Sequence, residues 1–188
     1  MAGERFLVET GKIKLDTDSP AMPKVVYLSL GSNVGEREAQ LRDAQSRLGA
    51  AGRVVAVSSF YETEPVEFTQ QPWFLNCAVA LETSQTPGQL MASILRIEEE
   101  MGRRRVHKKG PRAIDIEILL FGDTIMGSRE VTIPHPAMHQ RRFVLEPLAE
   151  IAPEAQHPIL KKTIRELRDA LPAGQAVRRI SRSERIND

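Results

Sequence analysis

The sequence has a single cysteine, Cys77, among 188 residues, and it lies in an apolar stretch. One cysteine cannot form a disulfide within the chain, which favours a reducing compartment. A domain of this length can bury a sizeable core without disulfides or a structural metal. We therefore expect a cytoplasmic protein in which Cys77 is a buried, unreactive thiol.

Long apolar runs and an excess of one charge are also lacking. No stretch approaches the roughly 20 apolar residues of a membrane-spanning helix, and the first residues do not have the pattern of a signal peptide. Lys and Arg number 26 against 25 Asp and Glu, so no overall field favours nucleic acid or a membrane surface. Any electrostatic function must therefore come from local clusters of charge.

The patterning predicts a loosely held extension over residues 1–23 and one domain over residues 24–188. Within the domain, apolar or alternating β-prone stretches predict strands, and apolar residues three and four positions apart predict helices. The predicted strands cover residues 25–30, 53–61, 74–81 and 113–121, and the predicted helices cover residues 36–48 and 86–101. The second helix begins with a capping sequence, Thr86-Pro87-Gly88-Gln89.

The predicted order is β-α-β-β-α-β, which indicates an α+β fold. We expect a ferredoxin-like sandwich with the helices on one face of an antiparallel sheet. Residues 125–133 then predict a small hairpin, residues 141–150 a short helix and residues 163–171 a terminal helix. The sandwich is thus expected to carry a C-terminal hairpin and helical extension.

The last strand of the sandwich carries two acidic residues on one face. Asp115 and Glu117 alternate with Ile114, Ile116 and Ile118, and alternate residues of a strand point to the same side. Their Cα atoms are then about 6.6 Å apart. Two such carboxylates can hold Mg²⁺ together with the oxygens of a phosphate chain, although an acid-x-acid pattern alone more often describes a solvated strand face.

A basic segment comes just before this strand. Six of the eleven residues from 102 to 112 are Arg or Lys, and glycines at 102 and 110 bound a loop that could close. A single guanidinium group can bind two phosphate oxygens at once through two parallel hydrogen bonds. Alone, the segment also fits a nucleic-acid patch, a targeting signal or a solvated loop. Beside an acid-bearing strand, it favours a site for a metal-bound polyphosphate.

Two other motifs are weaker. Gly31 and Gly35 are not followed by the Lys-Ser or Lys-Thr of a P-loop, so they indicate at most a turn that a substrate could approach. His135 and His139 have a spacing that suits two metal ligands, but no third ligand is evident nearby and zinc is not expected. Because it stands between two prolines, His135 is better interpreted as a rigidly held donor near phosphate.

Four sequence blocks occur in order between residues 25 and about 155. They are Leu-Ser-Leu-Gly-Ser-Asn at 28–33, Ser-Ser-Phe-Tyr at 58–61 with Gln-Pro-Trp-Phe-Leu-Asn at 71–76, Gly-Pro-Arg-Ala-Ile-Asp-Ile-Glu at 110–117, and Pro-His-Pro at 134–136 with Arg-Arg-Phe-Val-Leu at 141–145. In content and spacing the chain resembles the 6-hydroxymethyl-7,8-dihydropterin pyrophosphokinases. The Gly-Pro-Arg-x-x-Asp block is the most specific, because it joins the basic loop to the acid-bearing strand.

The resemblance implies a reaction in folate biosynthesis. The substrates would be ATP and 6-hydroxymethyl-7,8-dihydropterin, the products AMP and the pterin diphosphate, and the cofactor two Mg²⁺ ions. We expect a monomer that binds neither nucleic acid nor membrane. Catalysis would come from positioning and charge neutralisation without a covalent intermediate.

The resemblance also implies roles for individual residues. The metal ligands would be Asp115 and Glu117, and the catalytic residues Arg103, Arg105, Arg112 and Asp115. The ATP site would contain Glu98, Arg103, Arg112, Ile118, Thr132, His135 and Arg141. The pterin site would contain Thr63, Val66, Phe74, Asn76 and Phe143, with the planar ring between the two phenylalanines and its edge on the amide of Asn76.

Three positions depart from the family pattern. Glu117 stands where the second metal carboxylate is usually Asp, and it reaches one methylene further. Lys109 stands where many members have Trp, and Glu130 stands where a nucleotide-binding Arg would be expected, with Arg129 beside it. Glu117 and Lys109 leave open an inactive paralogue that retains pterin binding. A second alternative is a non-catalytic module that binds RNA or a small regulator, but the acidic strand would repel a nucleic-acid backbone.

Overall fold

The computed structural model describes residues 22–66, 69–103 and 110–180. The extension before residue 22 and the positions of Arg105 and Lys109 lie outside these ranges. The strands are β1 (Lys24–Ser32), β2 (Arg53–Val57), β3 (Tyr61–Thr63), β4 (Phe74–Thr83), β5 (Asp115–Phe121), β6 (Met126–Gly127), β7 (Thr132–Ile133) and β8 (Val177–Arg179). The α-helices are α1 (Arg37–Leu48), α2 (Pro87–Glu100), α3 (Arg142–Ile151) and α4 (Ile164–Asp169).

The main sheet is antiparallel and has the order β5-β1-β4-β3-β8, with β2 also paired to β4. β1 lies between β4 and β5, and its side chains are buried from Leu28 to the end of the strand. β6 and β7 form the small separate hairpin that residues 125–133 predict. The prediction of helices combined with an antiparallel sheet is thus confirmed.

Helices α1 and α2 pack on one face of the sheet, as expected. Leu41 and Leu48 of α1 and Leu90 and Ile94 of α2 are fully buried against alternate residues of β1, such as Leu28. The predicted cap of α2 is present, because the Thr86 hydroxyl accepts from the backbone N–H of Gln89, whose side chain accepts from the backbone N–H of Thr86. Such reciprocal capping satisfies donors that the first helical turn leaves unpaired.

The expectation that helices occupy a single face is incomplete. α3 and α4 pack on the opposite face through a second apolar cluster that contains Val144, Leu148 and Ile164. This cluster also contains Leu119 and Leu120, which are consecutive in β5. A register shift opposite Tyr27 and Leu28 makes this possible, because Leu119 is an extra residue with no partner on β1.

The strand predicted over residues 53–61 is in fact two strands. β2 and β3 both pair with β4 but are separated by Ser58, whose hydroxyl accepts from the backbone N–H of Ala78 at 2.9 Å. The Ser58 hydroxyl therefore takes the place of a backbone carbonyl as the acceptor for Ala78 of β4. Regular pairing with β4 is interrupted at this point, between β2 and β3. The pattern gave no sign of this bond, nor of the edge strand β8, whose sequence Val-Arg-Arg has little apolar character.

The remaining expectations concern the cysteine and the membrane. Cys77 is buried, its sulfur lies 3.4 Å from the Gln45 amide nitrogen, and burial raises the pKa of its thiol to about 12. These properties agree with the prediction of an unreactive thiol. Across the three described ranges, every helix is too short or too polar to cross a membrane.

The buried face of α2 allows a matched test of the core. Leu90→Ala is expected to lower the free energy of unfolding by ~2–5 kcal/mol, because Leu90 is 0 % exposed and its truncation leaves a cavity. The same change at Leu95, which is 40 % exposed on the same helix, should cost less than about 1 kcal/mol. Urea unfolding followed by circular dichroism measures both, and similar losses would contradict the assigned face of α2.

Candidate active site

The candidate site lies on the face of the sheet away from α1 and α2, where β1 ends and β4 and β5 begin. Gly31 of β1 pairs with Asn76 of β4 on one side and with Asp115 of β5 on the other. The next row on the same face contains Ser29 between Ala78 and Glu117. Strand pairing therefore places Asn76, Gly31 and Asp115, from three separate sequence blocks, side by side in one row across the sheet. Because the central residue is glycine, no side chain fills the middle of this row.

Asp115 is held by two arginines. Its Oδ1 lies 2.7 Å from Nη1 of Arg103, and its Oδ2 lies 2.9 Å from Nε of Arg112. The Asp115 side chain is only 16 % exposed, so water screens these ion pairs weakly. Both arginines belong to the described ends of the basic segment, and they meet the acidic strand as the sequence predicts.

Glu98 of α2 lies beneath this cluster. Its carboxylate accepts from the backbone N–H of Ile116 at 2.8 Å and pairs with Arg103. The side chain is 3 % exposed, and burial raises the pKa of its carboxyl group against the opposing effects of the Ile116 and Arg103 bonds. Glu98 thus anchors Arg103 and the start of β5, and in this structure it does not face open space.

Glu117 has its own partners, an arginine and a histidine. Its carboxylate lies 3.1 Å from Nη1 of Arg141 and 3.4 Å from Nε2 of His135. Burial opposes its ionisation, but the bond from His135 and the charges of Arg141 and Arg112 outweigh that effect, and the pKa of Glu117 is below its ordinary value. His135 accepts from the backbone N–H of Ala137 at Nδ1, so its Nε2 carries the hydrogen that faces Glu117.

Three of the residues expected to bind a pterin, Thr63, Phe74 and Asn76, lie at the other end of the row. The buried amide of Asn76 donates to the Thr63 hydroxyl at 2.7 Å, which fixes the orientation of the amide group. Phe74, at the start of β4, has the Arg112 guanidinium 5.1 Å from its ring centroid. Phe143, in the first turn of α3, has Arg141 at 5.6 Å from its ring. Both arginines therefore connect the aromatic residues with the carboxylates.

Other predicted residues are less well placed. Ile118 is buried in the core cluster that contains α1 and α2, on the opposite face of β5, so its side chain cannot contact a ligand in this site. Thr132 and Val66 are exposed at the surface, in β7 and after β3 respectively. His139 packs edge-on against His157, and among the described residues no cluster of three or more His, Cys, Asp or Glu could hold a metal.

The roles of Asn33 and Gln175 were not predicted. Asn33 is buried, its Oδ1 accepts from the backbone N–H of Arg112 at 2.8 Å, and its Nδ2 donates to Gln71 and Pro72. It therefore joins the end of the basic segment to the loop before β4. Its position in the Leu-Ser-Leu-Gly-Ser-Asn block was the available signal, whereas the sequence around Gln175 has no motif.

Comparison with known proteins identifies the family. The family model described as 7,8-dihydro-6-hydroxymethylpterin-pyrophosphokinase (HPPK) matches residues 27–153. A Bacillus subtilis protein named 2-amino-4-hydroxy-6-hydroxymethyldihydropteridine pyrophosphokinase is 44% identical over 137 residues, which are 72% of this chain and 82% of that protein. The folic acid synthesis protein fol1 of Schizosaccharomyces pombe is 41% identical over 152 residues, which are 80% of this chain but 21% of that protein.

Solved structures agree on the fold. The crystal structure of wild-type Plasmodium falciparum HPPK-DHPS with pterin and p-hydroxybenzoate has a TM-score of 0.64 at 18% identity, covering 81% of this chain and 42% of that one. The chain thus spans about a fifth of the fission-yeast relative and less than half of the Plasmodium protein, but most of the Bacillus one. The family model matches residues 27–153, and the acidic and basic residues that it covers are paired at the sheet edge. The chain therefore belongs to the 7,8-dihydro-6-hydroxymethylpterin-pyrophosphokinase family, whose enzymes transfer pyrophosphate to hydroxymethyldihydropterin in folate biosynthesis.

Proposed function

We propose that this chain transfers pyrophosphate from ATP to the hydroxymethyl group of 6-hydroxymethyl-7,8-dihydropterin at the row formed by Asn76, Gly31 and Asp115. Family membership supports the reaction. The location of the site is supported by one observation: the carboxylates of Asp115 and Glu117 are paired with arginines, and the buried, oriented amide of Asn76 lies in the same row as Asp115. We also propose the ferredoxin-like assignment, which the antiparallel order β5-β1-β4-β2 with α1 and α2 on one face supports. A monomer in the cytoplasm remains a prediction of the sequence.

Asp115 and Glu117 fit Mg²⁺ bound together with a substrate. Both carboxylates point to the same face of β5 and are 16 % and 29 % exposed, so they can be reached from solution. Within the described ranges no third ligand joins them, and Mg²⁺ is usually held by one or two carboxylates together with phosphate oxygens and water. When bound, Mg²⁺ would neutralise phosphate charge and orient the polyphosphate. We propose two ions, in keeping with two separate carboxylates.

Arg103, Arg112 and Arg141 would bind the phosphate oxygens. Without substrate they neutralise the two carboxylates, and planar guanidinium groups suit phosphate oxygens as well as carboxylate oxygens. Metal bound to the carboxylates would replace the arginines as the partners of Asp115 and Glu117. The guanidinium groups would then be available to bind the phosphates. His135 offers one more N–H to the same region. The proposed contributions of Thr132 and Arg105 rest on the sequence resemblance alone.

Asn76 would orient the pterin ring. An amide has two donor hydrogens and one acceptor oxygen, and the bond from its nitrogen to Thr63 leaves the oxygen and the second hydrogen for the ligand. The faces of Phe74 and Phe143 would stack on the planar ring, with Val66 near its edge. The site would then reject ligands that lack matching polar groups, because the buried amide would be left unpaired.

Gly31 keeps the centre of the row open. A Cβ atom at this position would lie 2.6 Å from Oδ1 of Asn76 and 3.7 Å from the Phe74 ring, so a larger residue would push on the oriented amide. The open space lies between the proposed pterin residues and Asp115. A substrate can therefore lie against the backbone there, with its hydroxymethyl group toward the phosphate-binding residues.

In the reaction, the hydroxymethyl oxygen forms a bond to the β-phosphorus of ATP. The bond from that phosphorus to the oxygen bridging the α and β positions breaks, AMP leaves with that oxygen, and the hydroxyl proton passes to solvent. The protein residues hold the nucleophile and the leaving group in line and spread the phosphate charge over several guanidinium groups. No covalent intermediate is needed.

Asp115→Asn is expected to lower kcat by about 100-fold or more, because the amide removes a metal-binding charge at the reacting phosphates. Binding of the pterin should change less than about twofold, since Asp115 lies at the far end of the row. Release of AMP from ATP, Mg²⁺ and hydroxymethyldihydropterin measures the rate. Asp169→Asn, on the exposed end of α4, is the matched control. A near-normal rate for Asp115→Asn would overturn the metal assignment, and no AMP from the unmodified chain would favour an inactive paralogue.

Asn76→Ala is expected to weaken pterin binding by about tenfold or more, because it removes the polar group that orients the ring. ATP affinity should be nearly unchanged. Thr63→Val tests the orientation itself, since it removes only the acceptor for the Asn76 amide and should give a smaller loss. Pterin fluorescence titration and nucleotide titration measure the two affinities, and equal losses of both would contradict the assignment.

Gly31→Ala is expected to raise the pterin KM by about tenfold, because its Cβ must displace the Asn76 oxygen. Gly88→Ala is the control, because a Cβ at Gly88 meets nothing within 4 Å. Steady-state kinetics with each substrate varied separately measures both variants. Normal pterin kinetics for Gly31→Ala would mean that the space between Asn76 and Asp115 is not used by substrate.

A further inference from the structure

The C-terminal segment 172–180 lies outside the family match over residues 27–153, yet it borders the proposed pterin site. Its strand β8 pairs with β3, so that Val177 lies opposite Thr63 and Arg179 opposite Tyr61. The backbone N–H of Glu64 also donates to the carbonyl of Ala176 at 3.2 Å. The segment therefore runs along the strand that carries one of the proposed pterin residues.

Gln175 joins this segment to both sides of the proposed pterin site. Its Oε1 accepts from the backbone N–H of Phe143 at 3.2 Å, and its Nε2 donates to the backbone carbonyl of Glu64 at 2.9 Å. Phe143 is one of the two proposed stacking residues. Glu64 directly follows Thr63, which holds the Asn76 amide. One side-chain amide thus connects the backbones of two elements that are far apart in sequence.

The Gln175 side chain accepts from a backbone N–H in the first turn of α3 that has no partner within the helix. The first N–H groups of a helix have no partner within the helix, and the N-cap residue Arg141 provides no side-chain bond. Gln175 supplies an acceptor for the second residue of the helix from another part of the chain. Because the amide of Gln175 uses its oxygen and its nitrogen at the same time, the position of the first turn of α3 is tied to the position of Glu64.

The segment is held in place by other contacts that do not involve Gln175. Arg178 pairs with Glu62 at 2.9 Å, and the same carboxylate pairs with Arg37 of α1. Arg179 pairs with Glu150 at 3.1 Å. These bonds can keep β8 paired with β3 when Gln175 is changed. The role of Gln175 is therefore separable from the folding of the segment.

We propose that Gln175 is a positioning residue that fixes the distance between Phe143 and the Thr63–Asn76 pair, and thereby sets the affinity of the site for a planar pterin. The inference rests on the pterin site proposed above. Stacking on an aromatic ring depends steeply on separation, so a small outward movement of the first turn of α3 would weaken ring contact. The proposed metal ligands Asp115 and Glu117 on β5, and Arg103 and Arg112 beside them, lie outside this turn and would keep their positions. Arg141 adjoins the turn, but its ion pair with Glu117 holds it to β5.

Gln175→Ala in the full-length chain tests this role. We expect the pterin KM and the pterin dissociation constant to rise by about fivefold to tenfold, with kcat at saturating pterin and the ATP KM within about twofold of the unmodified values. Gln175→Glu keeps an acceptor for Phe143 but cannot donate to the Glu64 carbonyl, so it should give an intermediate loss. Pterin fluorescence titration and separate steady-state kinetics for each substrate supply the values.

Two control variants separate positioning from stability. Arg178→Ala removes an ion pair of the same segment without touching Gln175, and Gln156→Ala changes an exposed glutamine beside Lys24 at the other end of the sheet. Both should leave the pterin KM unchanged, whatever their effect on thermal unfolding. A pterin KM that stays unchanged in Gln175→Ala, or that rises equally in Arg178→Ala, would overturn the proposal.

The Asn76→Ala variant distinguishes failure of this inference from failure of the site. If Asn76→Ala weakens pterin binding and Gln175→Ala does not, the site stands and the positioning role of Gln175 is wrong. If neither variant changes pterin binding, the pterin site itself is wrongly assigned.

Discussion

The pairing of β1 with both β4 and β5 is the constraint on which the proposed site depends. Because side chains alternate along a strand, a slip of one residue would turn Asp115 and Glu117 into the core and bring Ile116 and Ile118 out to solvent. Burial of each isoleucine contributes about 1.5–3 kcal/mol, and an unpaired buried carboxylate is costly. The apolar cluster beneath α1 and α2 therefore fixes the register that brings the polar residues together on the opposite face.

Charge balance is the second condition. The two carboxylates of β5 lie in a partly buried region where each needs cationic partners, and Arg103, Arg112 and Arg141 supply them, with one further N–H from His135. The same cations are of the type that a polyphosphate requires. A site with this composition can exchange carboxylate partners for phosphate partners without leaving either set of charges unpaired, which favours a ligand that brings anions and metal ions together.

Three side chains hold in place the residues that surround the proposed site. Asn33 ties the backbone of Arg112 to the loop before β4, Glu98 ties β5 and Arg103 to α2, and Gln175 ties α3 to the end of β3. All three use side-chain groups to satisfy backbone atoms that strand or helix pairing leaves free. The residues proposed to contact substrates are thus held by neighbours from other parts of the chain, and one of these, Gln175, lies beyond the segment that the family match covers.

The sequence by itself determined the strands and helices with strong periodicity, the cap of α2, and the acidic strand that follows a basic segment. These features are local, since alternation and capping depend on residues a few positions apart. The core-facing position of Ile118 also follows from the alternation along the strand, and it argues against the ATP-binding role that the resemblance implies for this residue. Tertiary structure alone decided that Ser58 divides the second strand and that Leu119 is an extra residue in β5. It also decided the partners of Asn33, Glu98 and Gln175, because each bond joins residues brought together only by packing, and no pattern within one segment encodes it.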